Sequence, residues 1–267
     1  MEFESDFARV PENAYCFLFC DDEIVIKEVD GGDKIPFVYE LKTLNNKPTQ
    51  GYYIGMVDGN RFYAAVGDKS SLKGFSFKKV RQVYGQIENS RYWLMLRAFH
   101  IISWMKLNRF CGCCGGSMKV FPNELAVQCV ACERIVYPRI SPAIIVAVIK
   151  DDKILLARSN RFPPGRYSVL AGFVEPGETL EDCVKRELKE EVGIGVTDIQ
   201  YFGSQPWPFP DSLMVAFTAR WSEGEISIDN NEIVDANWYS ADNLPNLPGR
   251  DSIARRLIDW FVEHAKI

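Results

Sequence analysis

The sequence predicts an α+β chain: a small, mostly β N-terminal domain over residues 1–80, a helical linker over 81–107, a cysteine ribbon over 108–138 and an α/β/α sandwich over 139–267. Three observations predict it. Apolar, β-branched or aromatic runs broken by turn residues recur in both the first and last regions, as short strands do. Two stretches near the C-terminus carry apolar residues at helical spacing, and mixed strands between two such helices make a layered sandwich. Five of the eight cysteines fall between 111 and 132.

In the first region the apolar patches are Tyr15 to Phe19, Glu23 to Val29, Gly51 to Val57 and Arg61 to Val66, with turn signals at Asp30-Gly31-Gly32-Asp33 and Asp58-Gly59-Asn60. A long helical stretch is expected from about Val80 to Leu107, with Leu94, Leu96, Ile101 and Trp104 as its apolar content. In the last region Ala143 to Lys150, the Asp151-Asp152 turn and Lys153 to Arg158 read as a hairpin. Further strands are expected at Tyr167 to Leu170, Leu213 to Trp221 and Ile233 to Tyr239, and a closing helix at about Asp251 to Ala265 with Ile253, Leu257, Trp260 and Phe261 inward.

A hydrophobic content of 47% in 267 residues is enough for well-packed cores. The net charge of −5 speaks against a general nucleic-acid binder, whose field would be basic. No long apolar run suggests a membrane span and the opening MEFESDFARV is no signal peptide, so a cytoplasmic location is expected.

The ribbon reads Cys111-Gly112-Cys113-Cys114, fourteen residues, then Cys129-Val130-Ala131-Cys132. Two such CxxC pairs suit a closed, structural site of four thiolates around Zn²⁺, from Cys111, Cys114, Cys129 and Cys132, and a reducing compartment disfavours disulfides. Cys113 is surplus.

Residues 172–194, GFVEPGETLEDCVKRELKEEVGI, carry the chemistry. Pro176-Gly177 turns the chain, Thr179 with Asp182 starts a helix, Leu180, Val184, Leu188 and Val192 give it a buried stripe, and Gly193 stops it. Glu187 and Glu191 then share one face with Glu190 beside them, and no basic residue at 183 or 191 neutralises Glu187. Crowded carboxylates of this kind call for a cation with oxygen ligands, Mg²⁺ or Mn²⁺ rather than zinc. A solvated acidic helix, paired through Lys185, Arg186 and Lys189, is the competing reading.

A second stretch, Ser204-Gln205-Pro206-Trp207-Pro208-Phe209-Pro210-Asp211-Ser212, holds three prolines in five residues. It is expected to be a stiff loop outside any central strand that displays Trp207 and Phe209 for stacking on a base.

The 172–194 segment matches every fixed position of the Nudix box: Gly172, five residues, Glu178, seven residues, then Arg186 to Ile194. With the ribbon before it and SQPWPFPDS after it, the region 108–267 resembles the NADH pyrophosphatase branch of the Nudix hydrolases, described as cleaving NADH and, in some members, removing NAD caps from RNA. The resemblance implies a Nudix sandwich with metal ions held by Glu187, Glu191, Glu232 ahead of Ala236-Asn237-Trp238-Tyr239, and the Ala171 carbonyl. It implies that Phe173 stacks on the substrate base and that Gln205 to Ser212, Tyr137, Glu124 and Ala254 line the pocket, with the ribbon completing it across a homodimer interface.

A diphosphate repels hydroxide, so metal ions that shield its oxygens and acidify water are the expected catalysts. Glu190 or Glu191 would accept the proton, Glu178 and Arg186 would orient the helix, and NADH would yield reduced nicotinamide mononucleotide and AMP. The two histidines, His100 and His264, lie near no motif. The competing functions are a broader nucleoside-diphosphate hydrolase, for instance on ADP-ribose, and a nucleotide-sensing module, which the retained carboxylates disfavour.

Overall fold

The structure, a computed structural model, describes residues 4–29, 32–44, 46–69, 75–122, 124–228 and 230–264. The turn expected at Asp30-Gly31 and the helix end expected at Ala265 lie outside the described residues. The chain forms two compact units: residues 1–139 with 208–210, and residues 140–207 with 211–267.

The first unit holds β1 (Glu4–Asp6), β2 (Tyr15–Cys20), β3 (Glu23–Val29), β4 (Gly32–Lys34), α1 (Val38–Lys42), β5 (Gln50–Val57), β6 (Asn60–Val66), β7 (Ser76–Lys79) and α2 (Asn89–Leu107). The strands form one sheet in the order β1-β5-β6-β2-β3-β4, with β7 also on β3 and a parallel β2–β6 pair. Alternation along β2 sends Phe17 and Phe19 to one core and Cys16, Leu18 and Cys20 to another, so a run with every second residue apolar on both faces is buried throughout. The expected long helix over 80–107 is shorter. Val80–Val83 makes a single 3₁₀ turn, Gly85 takes a left-handed φ of 75°, and α2 begins only at Asn89. Nor is α2 a bare linker: Tyr92, Met95, Leu96, Ile101 and Ile102 pack on Phe17, Phe19, Ile54 and Phe62 of the sheet. Its apolar residues lie on several faces, which suits a helix covered on more than one side.

Three short antiparallel strands make the ribbon: β8 (Met118–Val120), β9 (Val127–Cys129) and β10 (Ile135–Val136).

The second unit contains β11 (Ser141–Lys150), β12 (Lys153–Ser159), β13 (Leu170–Phe173), α3 (Leu180–Val192), β14 (Gly195–Trp207), β15 (Ser212–Glu223), β16 (Ile233–Ser240) and α4 (Ile253–His264). Its sheet runs β14-β15-β11-β12-β16, with β13 also on β11 and a parallel β11–β15 pair. Ile144, Val146 and Val148 of β11 face Val184, Leu188 and Val192 of α3. Ile145 and Ala147 face Leu257, Ile258 and Phe261 of α4. The α/β/α sandwich is therefore present. One strand expectation needs correction, and one strand was not expected. The strand expected at 167–170 forms at Leu170–Phe173, because Ala171, Gly172 and Phe173 pair with Ile145, Ile144 and Ala143 of β11. The β14 strand carried no clear apolar alternation: it is an edge strand with three register irregularities. No described helix is long and apolar enough to cross a membrane.

Candidate active site

The helix α3 is set by its ends. Thr179 accepts a hydrogen bond from the Asp182 N–H at 3.1 Å while its hydroxyl donates to the Asp182 carboxylate at 2.7 Å. At the other end Gly193 adopts φ 77°, and the N–H groups of Gly193 and Ile194 return to the carbonyls of Lys189 and Leu188, the closure a left-handed glycine permits.

Arg186 is the hub. Its Nε and Nη2 bond both carboxylate oxygens of Glu178 at 2.8 and 3.0 Å, its Nη1 reaches Glu187 at 2.8 Å and Glu190 at 3.0 Å, and Nη2 also donates to the Phe173 carbonyl at 2.9 Å. Fork-to-fork bonding of this kind fixes both partners. Hydrogen bonds from Arg186, then from the Glu175 N–H, bring the Glu178 pKa down to about 2. The sequence expectation that nothing neutralises Glu187 is thus corrected: the adjacent Arg186 bends back to it. That compensation is incomplete. Burial pushes the Glu187 pKa up, Arg186 pulls it down, and the charges of Glu190 and Glu232 push it up again. Its side chain is 13% exposed.

Glu187 is also pressed onto the β13 backbone. A Cβ built on Gly172 would fall 1.9 Å from the Glu187 Cδ, so the box glycine is there for close approach. Ala171 precedes it in β13, and the Phe173 ring beyond it is 56% exposed, free to meet a planar ligand. Glu191 is 9% exposed on the same helix. After burial, the charges of Glu190 on α3 and of Glu232, the residue before β16, contribute to raising the Glu187 pKa, and oxygen donors carrying excess negative charge suit a divalent cation.

Other expected residues take different places. Ala254 is 7% exposed, in the core beneath α4 and on the sheet face opposite α3. The SQPWPFPDS stretch is not wholly a loop. Gln205, Pro206 and Trp207 end the edge strand β14, paired with Met214, Leu213 and Ser212, where a proline is tolerated. Gln205 is 4% exposed and caps α4 from outside: its Nε2 donates to the Asp251 carbonyl at 2.7 Å and its Oε1 accepts from the Ile253 N–H at 2.5 Å. Asp211 accepts from the Ser141 N–H at 2.8 Å, and Ser212 is 6% exposed. Pro208 to Pro210 belong to the first unit, with a cis Phe209–Pro210 bond. There Phe209 is partly buried, 4.1 Å from the Arg81 guanidinium and 5.6 Å from the Phe99 ring, rather than displayed.

Also in the first unit, the Tyr137 hydroxyl donates to Glu124 at 2.9 Å, and that carboxylate raises the tyrosine pKa. Cys111, Cys114, Cys129 and Cys132 bring their sulfurs within 4.8 Å of one another, and no other group of three or more Cys, His, Asp or Glu among the described residues gathers for a metal in this way. The Cys111–Cys132 and Cys114–Cys129 separations are 3.7 and 3.5 Å. They lie near the roughly 3.8 Å edge of a tetrahedron with zinc–sulfur bonds of about 2.3 Å and are far too long for disulfides. Backbone N–H groups of Cys113, Ala131 and Cys132 point at the sulfurs of Cys111 and Cys129, favouring thiolates, so the donors fit zinc. Cys113 is exposed and outside the cluster. His100 bonds the Arg139 carbonyl and His264 the Trp260 carbonyl.

Sequence reasoning missed Cys183, whose buried thiol donates to the Phe173 carbonyl at 3.4 Å. The available signal was its spacing, three residues before Arg186 on the same helix face.

A helix carrying an arginine-organised carboxylate cluster, clamped onto a strand glycine of a sandwich, defines a hydrolase of the Nudix class. Residues 139–261 match the NUDIX domain, and residues 13–104 match the NADH pyrophosphatase-like rudimentary NUDIX domain. The chain is 45% identical to the NAD-capped RNA hydrolase NudC of Stutzerimonas stutzeri (strain A1501), over 78% of this chain and 76% of that one. It is 46% identical, with the same coverage, to the protein of that name from Pseudomonas fluorescens (strain Pf0-1). A solved NUDIX hydrolase from Nitrosomonas europaea is also similar, with a TM-score of 0.48 and 22% identity over 59% of this chain and 90% of that one. The chain belongs to the Nudix hydrolase family, in the group of the NAD-capped RNA hydrolases.

Proposed function

We propose that the protein hydrolyses the diphosphate of NADH and NAD⁺ to the nicotinamide mononucleotide and AMP, and removes NAD from the 5′ ends of capped RNA. The observation that carries this is the Arg186 hub, which holds Glu178, Glu187, Glu190 and the Phe173 carbonyl in one constellation; the relatives' printed name supplies the substrate class. Glu187, Glu191, Glu232 and the Ala171 carbonyl would hold Mg²⁺ or Mn²⁺, which when bound shields diphosphate oxygens and lowers the pKa of water.

The chain's own residues do the rest. Glu190 or Glu191 takes the proton of the attacking water as its oxygen bonds to phosphorus and the bridging P–O bond breaks. Arg186 favours the ionised form of Glu187 against its burial and aims it, the positioning on which such reactions depend. Phe173 offers its exposed ring to a base or nicotinamide. Zinc in the four-cysteine ribbon is structural. Reduced cysteines suit a cytoplasmic enzyme, and the homodimer the resemblance implies is checked by light scattering.

The test is mass analysis of products from NADH, NAD⁺, ADP-ribose and a 5′-NAD-RNA, with Mn²⁺ or Mg²⁺ and zinc retained. Mononucleotide plus AMP well ahead of ADP-ribose cleavage supports the reading. No cleavage, or an enzyme with Glu191→Gln as fast as wild type, sinks it.

A further inference from the structure

The turn after β12 holds a residue that the site described so far does not use. Phe162 N–H donates to the Ser159 carbonyl at 3.0 Å and Arg161 N–H donates to the Ser159 hydroxyl at 3.3 Å, closing a tight turn around Asn160. The turn begins where the β12–β16 ladder changes register, between Arg158 and Ser159, with Ser159 opposite Ile233. Asn160 therefore falls beside the two residues that precede β16. Its N–H donates to the Glu232 carbonyl at 3.0 Å, and its side-chain Nδ2 donates to the Asn231 carbonyl.

Glu232 is the second residue of that pair. It lies one residue before β16, past the last ladder pair at Ile233, and Asn230 just ahead of it takes a left-handed φ of 59°. Its backbone is thus at the junction between a turn and a strand, while its charge acts on Glu187 of α3. A carboxylate displaced by about 1 Å no longer meets the same ion, and partners that orient ligands change metal affinity by roughly 10–100-fold when removed.

We infer that Asn160 is a positioning residue for the catalytic cation: by holding the carbonyls of Asn231 and Glu232 it fixes where the Glu232 carboxylate stands. The inference rests on the reading that Glu232 is a metal ligand. Asn160→Ala removes the side-chain bond to Asn231 and keeps the backbone bond to Glu232. Asn160→Ser keeps a short donor in its place.

The experiment measures Mn²⁺ binding to the full, zinc-loaded chain by the electron paramagnetic resonance of free Mn²⁺, alongside NADH hydrolysis as Mn²⁺ is varied. Asn160→Ala is expected to weaken Mn²⁺ binding and raise its activation midpoint about tenfold, with kcat at saturating Mn²⁺ within about twofold of wild type. Asn160→Ser recovers most of the affinity, and the Asn160→Ala/Glu232→Gln double variant binds Mn²⁺ no more weakly than Glu232→Gln alone. Unchanged Mn²⁺ affinity in Asn160→Ala, where Glu232→Gln weakens it, overturns the role of Asn160. Unchanged affinity in Glu232→Gln itself overturns the ligand reading beneath it. Should Asn160→Ala not fold, Asn160→Leu, of similar size but without a donor, decides: weaker binding than wild type, with the Asn160→Leu/Glu232→Gln double variant no weaker than Glu232→Gln alone, supports the role, and wild-type binding rejects it.

Discussion

Glu187 lies so close to Gly172 that a Cβ at residue 172 would sit 1.9 Å from its Cδ and 2.0 Å from its Oε1. Gly172 occupies a regular strand, paired with Ile144, and does not adopt a left-handed φ. The backbone would accept alanine; the neighbouring carboxylate would not. Gly172→Ala is therefore expected to lower kcat/KM on NADH by about 100-fold, the scale of a 1 Å misplacement, with little change in secondary structure by circular dichroism. A variant of near wild-type activity would show that the Glu187 position is not critical.

The pH response follows from the same carboxyl. Burial, Glu190 and Glu232 raise the Glu187 pKa against the pull of Arg186, so it takes up a proton at a higher pH than an ordinary glutamate. Cation binding needs it ionised. Mn²⁺ affinity and kcat/KM should thus fall as pH drops through that raised value. Glu190→Gln removes one of the charges that raise it, and the acid limb of Mn²⁺ binding should move to lower pH. A limb that stays in place or moves up would contradict this electrostatic account.

Local signals carried the helix of the site into view, and longer-range partnerships hid the rest. Thr179 with Asp182 and the left-handed Gly193 act within a few residues of themselves, so their roles are legible in the spacing. The cysteine pairs are legible for the same reason: bond geometry leaves a CxxC few other uses. Arg186 was readable as a partner of Glu178 but not as the bridge to Glu187, because adjacent helix residues ordinarily point apart and only a long guanidinium closes the gap. Phe209 and Gln205 have partners that the spacing does not reveal, Arg81 with Phe99 and the start of α4. A polar or aromatic residue in a proline-rich stretch says nothing of what covers it.

Gln205 sharpens that point. Its buried amide satisfies the Ile253 N–H, a donor that a helix start leaves without an internal partner, and the Asp251 carbonyl just ahead of α4. Gln205→Leu should cost about 1–3 kcal/mol of stability, the penalty for stranding buried polar groups, read as a lower urea midpoint. KM for NADH should remain within about twofold. A large rise in KM with unchanged stability would return Gln205 to the substrate pocket.

The ribbon makes a separate prediction about metal content. Its four sulfurs stand 3.5 to 3.7 Å apart in the pairs Cys114–Cys129 and Cys111–Cys132, with backbone N–H groups aimed at two of them. Such a site binds zinc as it folds, so the metal's binding energy is part of the ribbon's stability. Purified chain should carry one zinc by elemental analysis. Cys113→Ser should keep it, since Cys113 is outside the cluster. Cys111→Ser with Cys129→Ser removes one ligand from each pair, and the zinc should be lost together with hydrogen-exchange protection of the β8 to β10 amides. Protected amides without zinc, and four thiols missing on titration, would identify disulfides instead; retention of zinc by the double variant would mean the ligands lie elsewhere.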